Sequence, residues 1–283
     1  MFVLLLMFLA IFLKPDKKTL IHGEFVLTVL DVGQGLAVTI ETPNGMSVFD
    51  TGNRYGDTDS AQRVIIPYLQ HQGVKHLNSV VVSHLDSDHV GGLNTLLQKY
   101  SYDQLMIAEK IDFNLGKTIH QKKCQRGTVW YESGVKFEML AQEIGVNEKQ
   151  LSRNNRSCVL LIKSPWGSVL LPGDIEREVE HQLVGRFGRH LNVDVLVLPH
   201  HGSLTSSSPM FLHMVKPNLA IASSGYLSRH GHPHSKVVFR VKKMQAKLLN
   251  TATSGSIEIR FSKTGLQTTE FRAKRRRFWY AND

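Results

Sequence analysis

Residues 79–92 read Ser79-Val-Val-Val-Ser83-His84-Leu-Asp86-Ser-Asp88-His89-Val-Gly91-Gly92, and the reading of every later segment depends on them. Three valines make a buried-type strand. Directly after it come four side chains able to bind a metal: His84, Asp86, Asp88 and His89. Side chains alternate along extended chain, so 84, 86 and 88 share a face. Asp88 then stands where a helix N-cap is expected, and His89 enters the first turn. His84 and Asp86 can serve one cation while Asp88 and His89 turn towards a second. Gly91 and Gly92 remove side chains where the helix must approach a neighbour closely. An acidic cap beside solvated histidines would account for one His and one Asp. Two of each at this spacing, beside two glycines, point to a metal centre.

The same punctuation, a polar residue closing an apolar strand, recurs downstream. Residues 168–171 lead through Pro172-Gly173 to Asp174, which is either a ligand or the cap of a helix opening at Ile175. Residues 193–198 lead to His200-His201-Gly202-Ser203. A further loop carries His230-Gly-His232-Pro-His234. There His232 and His234 are candidate phosphate donors or ligands, and a solvated His-rich loop is the competing reading.

Around these sites, residues 25–30, 36–41 and 46–50 read as short strands, with Asn44-Gly45 as the turn between the last two. Residues 61–70 are a short helical segment interrupted by Pro67. Val90, Leu93, Leu96, Leu97 and Tyr100 have helical spacing. Later strands fall at 159–163, 168–171, 193–198, 219–223 and 257–261, and helices at 175–184 and 235–244. Hairpins that give way to strand–helix alternation and then return predict an α/β fold: two mixed sheets with helices outside, an αββα sandwich.

Composition narrows the class less. The chain has 283 residues, 42% hydrophobic and 20% charged, which excludes a mainly disordered protein. A formal net charge of +10 favours a polyanionic partner, nucleic acid or an anionic membrane surface, the alternative being that the excess Lys and Arg only keep the domain soluble. Cys124 and Cys158 lack metal-type spacing, and one bridge between them is possible. Residues 1–13 are continuously apolar, then meet Lys14, Lys17 and Lys18. Thirteen residues are too few to cross a bilayer, which takes about 20. With no basic residue before the run and no small-residue cleavage site after it, the run is expected to be the stub of a transmembrane helix. The expected organisation is that stub, a basic joint at 14–24, one main domain at 25–272 and a basic-aromatic tail at 273–283.

Taken in order, Leu30-Asp-Val-Gly-Gln-Gly35, Phe49-Asp-Thr-Gly52, the His84–Gly92 stretch, Asn155-Arg-Ser157, Pro172-Gly-Asp174-Ile-Glu176, Pro199-His-His-Gly-Ser203 and Gly231-His-Pro-His234 resemble the metallo-β-lactamase superfamily. More specifically, they resemble the C-terminal domain of the ComEC family of competence DNA-uptake channels. The resemblance implies that His84, Asp86, Asp88 and His89 bind metals, that Asp174 bridges two of them, and that His200 completes the second site in preference to His201. Asp88, His201, His232 and His234 would then form the reacting set, the histidines contacting phosphate or protonating the leaving oxygen. Asp86 stands where a third histidine is usual in the superfamily, Ser228 where Asn is frequent, and no clear first-site histidine lies between Gly92 and Asp174.

An Asp-rich, thiolate-free donor set makes Mn²⁺ plausible beside Zn²⁺, with one or two ions. The function implied is a metal-dependent phosphodiesterase, a nuclease that degrades the DNA strand not imported during natural transformation. Arg153, Arg156 and the run Lys274, Arg275, Arg276, Arg277 are candidate backbone contacts. DNA, the membrane channel of the same or a parent chain, and other competence proteins are the implied partners. The family role places the domain on the periplasmic face of the inner membrane, although Lys14, Lys17 and Lys18 alone would suggest the cytoplasmic side. A small-substrate metallo-hydrolase and a catalytically silent DNA-guiding module are the alternatives.

Overall fold

Hairpins open the fold as β1 (Phe25–Val29), β2 (Val38–Thr42) and β3 (Gly45–Phe49). This is a computed structural model, and it describes residues 19–112, 119–140 and 151–274. The β2–β3 turn is Pro43-Asn44, one position earlier than expected, because Thr42 pairs with Gly45. Gly45 is required there: at φ 143° a side chain would run into the Asn78 amide.

A small pair, β4 (Arg54–Tyr55) and β5 (Thr58–Asp59), precedes β6 (His76–Val82), the valine strand of the opening segment. Then come β7 (Ser101–Ile107), β8 (Gln121–Lys123), β9 (Val129–Glu132) and β10 (Val135–Met139). The second half holds β11 (Leu160–Ser164), β12 (Gly167–Leu171), β13 (Val195–Val197) and β14 (Leu219–Ala222). It closes with β15 (Lys247–Asn250), β16 (Ile257–Ser262) and β17 (Gly265–Glu270).

These strands form an eight-stranded sheet, β17-β16-β1-β2-β3-β6-β7-β8, and a seven-stranded sheet, β15-β14-β13-β12-β11-β10-β9. Both are mixed. β3, β6, β7 and β8 run parallel in the first, and β12 to β15 in the second. The inner faces meet in one apolar core, where Phe25 stacks on Phe261 at 4.1 Å between ring centroids.

Helices Ile66–His71 and Leu93–Lys99 seal the outer face of the first sheet through Leu69, Leu93, Leu96 and Leu97. Helices Arg177–Phe187, Pro209–Val215 and Ser235–Lys243 seal the second through Val179, Leu183, Phe211, Val237 and Val241. Burial on both faces explains why the central parallel strands β13 and β14, and Val80–Val82 of β6, are continuously apolar rather than alternating. The layers are helix, sheet, sheet, helix: the αββα sandwich expected from the sequence.

Two local expectations shift. The helix after β6 begins at Ser87 with Asp86 in the N-cap place, so Asp88 lies inside the first turn. The helix after Asp174 begins at Arg177 with Glu176 in the cap place. Among the described residues no helix is long and apolar enough to cross a membrane, and residues 1–13 lie outside them. Residues 19–24, expected as a joint, pack on the domain: Leu20 and Glu24 are buried, and the Gly23 N–H donates to Ser133 O at 2.7 Å. A disulfide joins Cys124, just past β8, to Cys158, just before β11, and so ties the first sheet to the second.

Candidate metal centre

Strand ends from both sheets converge on one spot. β6 delivers His84, Asp86, Asp88 and His89; β12 delivers Asp174; β13 delivers His200 and His201. Asp174 lies at the middle, only 4% exposed. Its Oδ1 is 3.1 Å from His89 Nε2, and its Oδ2 is 3.5 Å from His201, 3.9 Å from His200 and 4.0 Å from His84, each at Nε2. His201 Nε2 lies 3.1 Å from Asp88 Oδ2 and 3.2 Å from His89 Nε2. Asp86 flanks the group, its Oδ2 3.8 Å from His84 Nε2.

The approach of these elements depends on glycine. A Cβ on Gly92 would come within 2.6 Å of Thr51 O, and one on Gly91 would strike the backbone of residues 53 and 54. The helix carrying Asp88 and His89 can therefore press against the strand ends only because both side chains are missing. His200 and His201 both take positive φ, 52° and 54°. Left-handed backbone is uncommon outside glycine, and where packing enforces it, it tends to mark functional positions. Here it sends the two rings in different directions. His201 turns inward, its Nδ1 held 2.9 Å from Ser223 O, whereas His200 Nδ1 sits 3.1 Å from the Thr205 hydroxyl.

A second set of side chains fixes the first. Asp50 Oδ2 lies 2.7 Å from His89 Nδ1, and the same carboxylate accepts from the Ser83 N–H at 2.6 Å and the Ser83 hydroxyl at 2.7 Å. Ser83 and Ser157 place hydroxyls 3.0 and 3.4 Å from His84 Nδ1. The Asp174 N–H donates to Ser157 Oγ at 3.0 Å, and the Glu176 N–H to Asn155 Oδ1 at 2.8 Å. The Asn155-Arg-Ser157 motif thus braces both the ligand loop after β12 and the His84 ring.

Protonation follows from this crowding. Burial drives His84 down to about 4, and the neighbouring His89 adds to the effect. Burial would lower His89 as well, but Asp174 and Asp50 outweigh it and raise His89 well above the ordinary histidine value. Burial raises Asp88 and Asp174; the surrounding histidines prevail and hold both below the usual carboxylate range. His232 falls to about 4 through burial and the proximity of His201, His200 and His230.

Two buried lone-pair donors in the cluster, His84 Nε2 and Asp174 Oδ1, make no well-aligned hydrogen bond among the described residues, although Asp174 Oδ1 is ion-paired with His89 Nε2 at 3.1 Å. Leaving such groups unsatisfied costs on the order of 1–3 kcal/mol each. The donors fall into two groups, His84 with His89 and Asp174, and Asp88 with His89 and His201, each within 4.8 Å. Imidazole and carboxylate donors aimed at a common point are the chemistry that a divalent cation satisfies. The donor set fits a metal.

Above the cluster lies a cavity of about 310 Å³ lined by Asp86, Asp88, Asp174, His200, His201 and His232, with Gln34, Asn53, Ser87 and His230 at its edge. Of the residues singled out from the sequence, the buried His84 and His89 are not part of this lining, and neither is His234. It caps helix Ser235–Lys243, its ring accepting from the Lys236 N–H. Arg153 is exposed beside the cavity, 3.6 Å from Asp86. Arg156 is occupied structurally, donating to Glu109 at 3.0 Å and to Leu151 O. Lys274 ends helix Phe271–Lys274, and Arg275, Arg276 and Arg277 lie outside the described residues.

A family model described as the metallo-beta-lactamase superfamily matches residues 30–226, the span that carries every strand end described above. The chain belongs to the metallo-β-lactamase superfamily. Competence protein ComA of Neisseria gonorrhoeae is 35% identical over 264 residues, 93% of this chain and 36% of that protein. Recombination protein 2 of Haemophilus influenzae is 35% identical over 265 residues, 93% of this chain and 32% of that protein. The chain thus spans about a third of the length of these curated relatives. Among solved structures, Igni18, a metallo hydrolase from the archaeon Ignicoccus hospitalis, matches with a TM-score of 0.53 at 13% identity, over 84% of this chain and 100% of that one; the likeness is one of fold.

Sequence reasoning assigned no role to Asp50, Ser83, Ser157, Gln34, Asn53 or His230. Asp50 was within reach, since it closes an apolar strand as His84 and Asp174 do. The serines carry no such signal, because a hydroxyl beside a ligand cannot be told from any other before the strands are paired.

Proposed function

We propose that this superfamily hydrolase is a metal-dependent phosphodiesterase acting on DNA, the nuclease of a DNA-uptake system that degrades the strand not imported. The observation that carries the reading is the convergence of two imidazole–carboxylate donor groups on the floor of an open cavity. His84 and Asp174, with Asp86 beside them, would hold one ion, and Asp88 and His201 a second, with His89 in reach of both; His201 takes the place expected of His200 because its ring is the one that faces these donors. When bound, such ions lower the pKa of water and neutralise charge developing on a phosphate oxygen. The mixed Asp and His donors suit Mn²⁺ or Zn²⁺.

The chain's own residues supply the rest. Asp50 orients His89, and Ser83 and Ser157 orient His84. His232, neutral at physiological pH because burial and its neighbouring histidines lower it to about 4, lines the cavity and can hydrogen-bond a phosphate oxygen. His200, closer to the rim than His201, is placed for the same task.

DNA is favoured as substrate by similarity to a competence protein and a recombination protein, and by the net charge of +10. Arg153 and the run Lys274–Arg277 are the proposed backbone contacts. A longer parent protein with a membrane channel, and other competence proteins, are the proposed partners. The disulfide favours the periplasmic face of the inner membrane, since such bonds persist in oxidising compartments.

A DNA-guiding module without catalysis is the second reading. It is favoured by His120, the sole histidine between Gly92 and Asp174, which is exposed and belongs to neither donor group. The deciding experiment is cleavage of labelled single- and double-stranded DNA by the 283-residue chain in mild detergent with Mn²⁺, Zn²⁺ or Mg²⁺, beside an Asp86→Ala, Asp88→Ala variant. Metal-dependent cleavage that the variant loses is expected. A folded chain that binds DNA and cuts none of it would establish the guiding module instead. Turnover of a chromogenic phosphodiester without DNA cleavage would assign a small substrate.

A further inference from the structure

Beside the cavity over the donor cluster runs a second, larger groove of about 750 Å³, which the metal centre does not use. The two share Gln34, Asn53 and His230, so a ligand leaving one enters the other. The groove has the volume of a small-molecule site, roughly 300–1,000 Å³. Its walls are the loop after β1, the small β4–β5 pair and the loop holding Tyr226 and Arg229.

The lining chemistry is specific. Tyr226 is 58% exposed, a large ring left open at the groove wall. Tyr55 presents a second ring, pinned by its hydroxyl donating to Val32 O at 2.6 Å. The Arg63 guanidinium carbon lies 5.1 Å from the Tyr55 ring centroid. Arg229 adds another cation, and the carboxylate in the groove, Asp31, is paired with Arg272 at 2.8 Å. The charge facing a ligand is therefore positive. Leu227 is held at φ 51° with 84% of its surface exposed, an apolar side chain beside Tyr226 that packing within the chain does not explain.

The shape is fixed in advance. Ser228 Oγ donates to Gln34 Oε1 at 2.9 Å, joining the two loops that flank the groove. Gly225 lets them touch, since a Cβ there would fall 2.9 Å from the Gln34 nitrogen. Exposed rings interleaved with guanidinium groups, in a preformed groove, are the recognition chemistry of unstacked bases on a phosphate backbone. A duplex keeps its base faces stacked inside and cannot use these rings.

We propose that this groove is a subsite for single-stranded nucleic acid: Tyr226 and Tyr55 stack on bases, Arg63 and Arg229 contact phosphates, and the strand leads across Gln34 and Asn53 to the metal centre. Its substrate class rests on the nuclease reading, but binding and cleavage separate the two experimentally.

The test is fluorescence anisotropy of a labelled six-nucleotide oligothymidylate on the full 283-residue chain in mild detergent and EDTA. Tyr226→Ala is expected to raise Kd about tenfold, the order of one lost base stack, and Arg63→Ala, which loses a phosphate contact, by about tenfold at low salt. Tyr226→Phe, which keeps the ring, is expected to stay within twofold of the parent. Thermal melts confirm that each variant is folded. Kd values unchanged in both alanine variants overturn the subsite, even if the protein cleaves DNA. Binding that depends on Tyr226 and Arg63 in a protein that cuts no DNA upholds the subsite and removes the nuclease reading instead.

Discussion

Asp50 Oδ2 lies 2.7 Å from His89 Nδ1, and neither side chain is exposed to solvent. A carboxylate behind a metal-facing imidazole fixes the tautomer, directs the ring and raises its basicity as a ligand. Asp50 reaches this position from β3, a neighbour of β6, and holds φ 60° to do so.

Replacing that carboxylate isolates its contribution. Asp50→Asn retains size and one acceptor but loses the charge and one acceptor oxygen for the Ser83 and His89 contacts. Metal affinity is expected to fall by about 10- to 100-fold, with the fold retained. Competition against a chromophoric chelator measures it. An unchanged affinity would leave Asp50 with a purely structural part.

Protons and metal compete for the same cluster. Without metal, His84 is lowered to about 4 and is neutral at pH 7, whereas Asp174 and Asp50 keep His89 protonated against the opposing effect of burial. A ligand imidazole must be neutral, so ion binding has to expel the His89 proton. Affinity is expected to rise with pH until the raised native value of His89 is passed, with a proton released for each ion bound to His89 below it. Calorimetry in buffers of differing ionisation heat counts that proton. The metal-free fold shows two opposite trends. The raised His89 stabilises it fully below the ordinary 6.5 and loses that contribution as pH climbs through its native value. The depressed His84 destabilises it as pH falls from 6.5 towards about 4.

The adjacent histidines are expected to differ. His201→Ala removes a donor 3.1 Å from Asp88 and is expected to lower both metal content and turnover, the latter by about 100-fold or more. His200→Ala removes a ring 3.9 Å from Asp174 and is expected to leave metal content near that of the parent while lowering turnover. Elemental analysis beside the cleavage rate distinguishes the two. Equal metal loss in both would show that the order of the two rings is wrong.

The Cys124–Cys158 bond closes a sequence separation of 34 residues. Cross-links of this span stabilise by about 2–4 kcal/mol in the chain-entropy view. Urea denaturation of a Cys124→Ser, Cys158→Ser variant is expected to show an unfolding free energy lower by that amount, with a correspondingly lower midpoint. The effect should extend to the site, because Cys158 follows Ser157, whose hydroxyl lies beside His84.

Much of the fold is legible in the sequence because strands buried on both faces are written as apolar runs, as in residues 79–82 and 193–198. What is missed follows from weaker patterns. β7, β8 and β9 carry exposed polar residues such as Ser101, Lys122 and Tyr131, and no strict alternation marks them as strands. Helix Pro209–Val215 is two turns long, too short for its period to register. At the site, residues that end apolar strands are recognisable, hence His84, Asp174 and the His200-His201 pair. Which of His200 and His201 turns inward is not recognisable, because it depends on two consecutive left-handed backbone conformations. The brace formed by Asn155 and Ser157 is equally hidden, since it exists only once β11 and β12 lie beside β6.

The donors are divided between the sheets: His84, Asp86, Asp88 and His89 follow a strand of the first, Asp174 and His201 strands of the second. An ion gripping both sets is therefore a cross-brace, bound only when the two halves of the sandwich are docked. By mass action, each tenfold excess of ion over its Kd adds about 1.4 kcal/mol to that docking. Stripping the metal would thus loosen the seam between the sheets before it disturbed either sheet, and amide exchange along that seam would report the ion as sensitively as catalysis does.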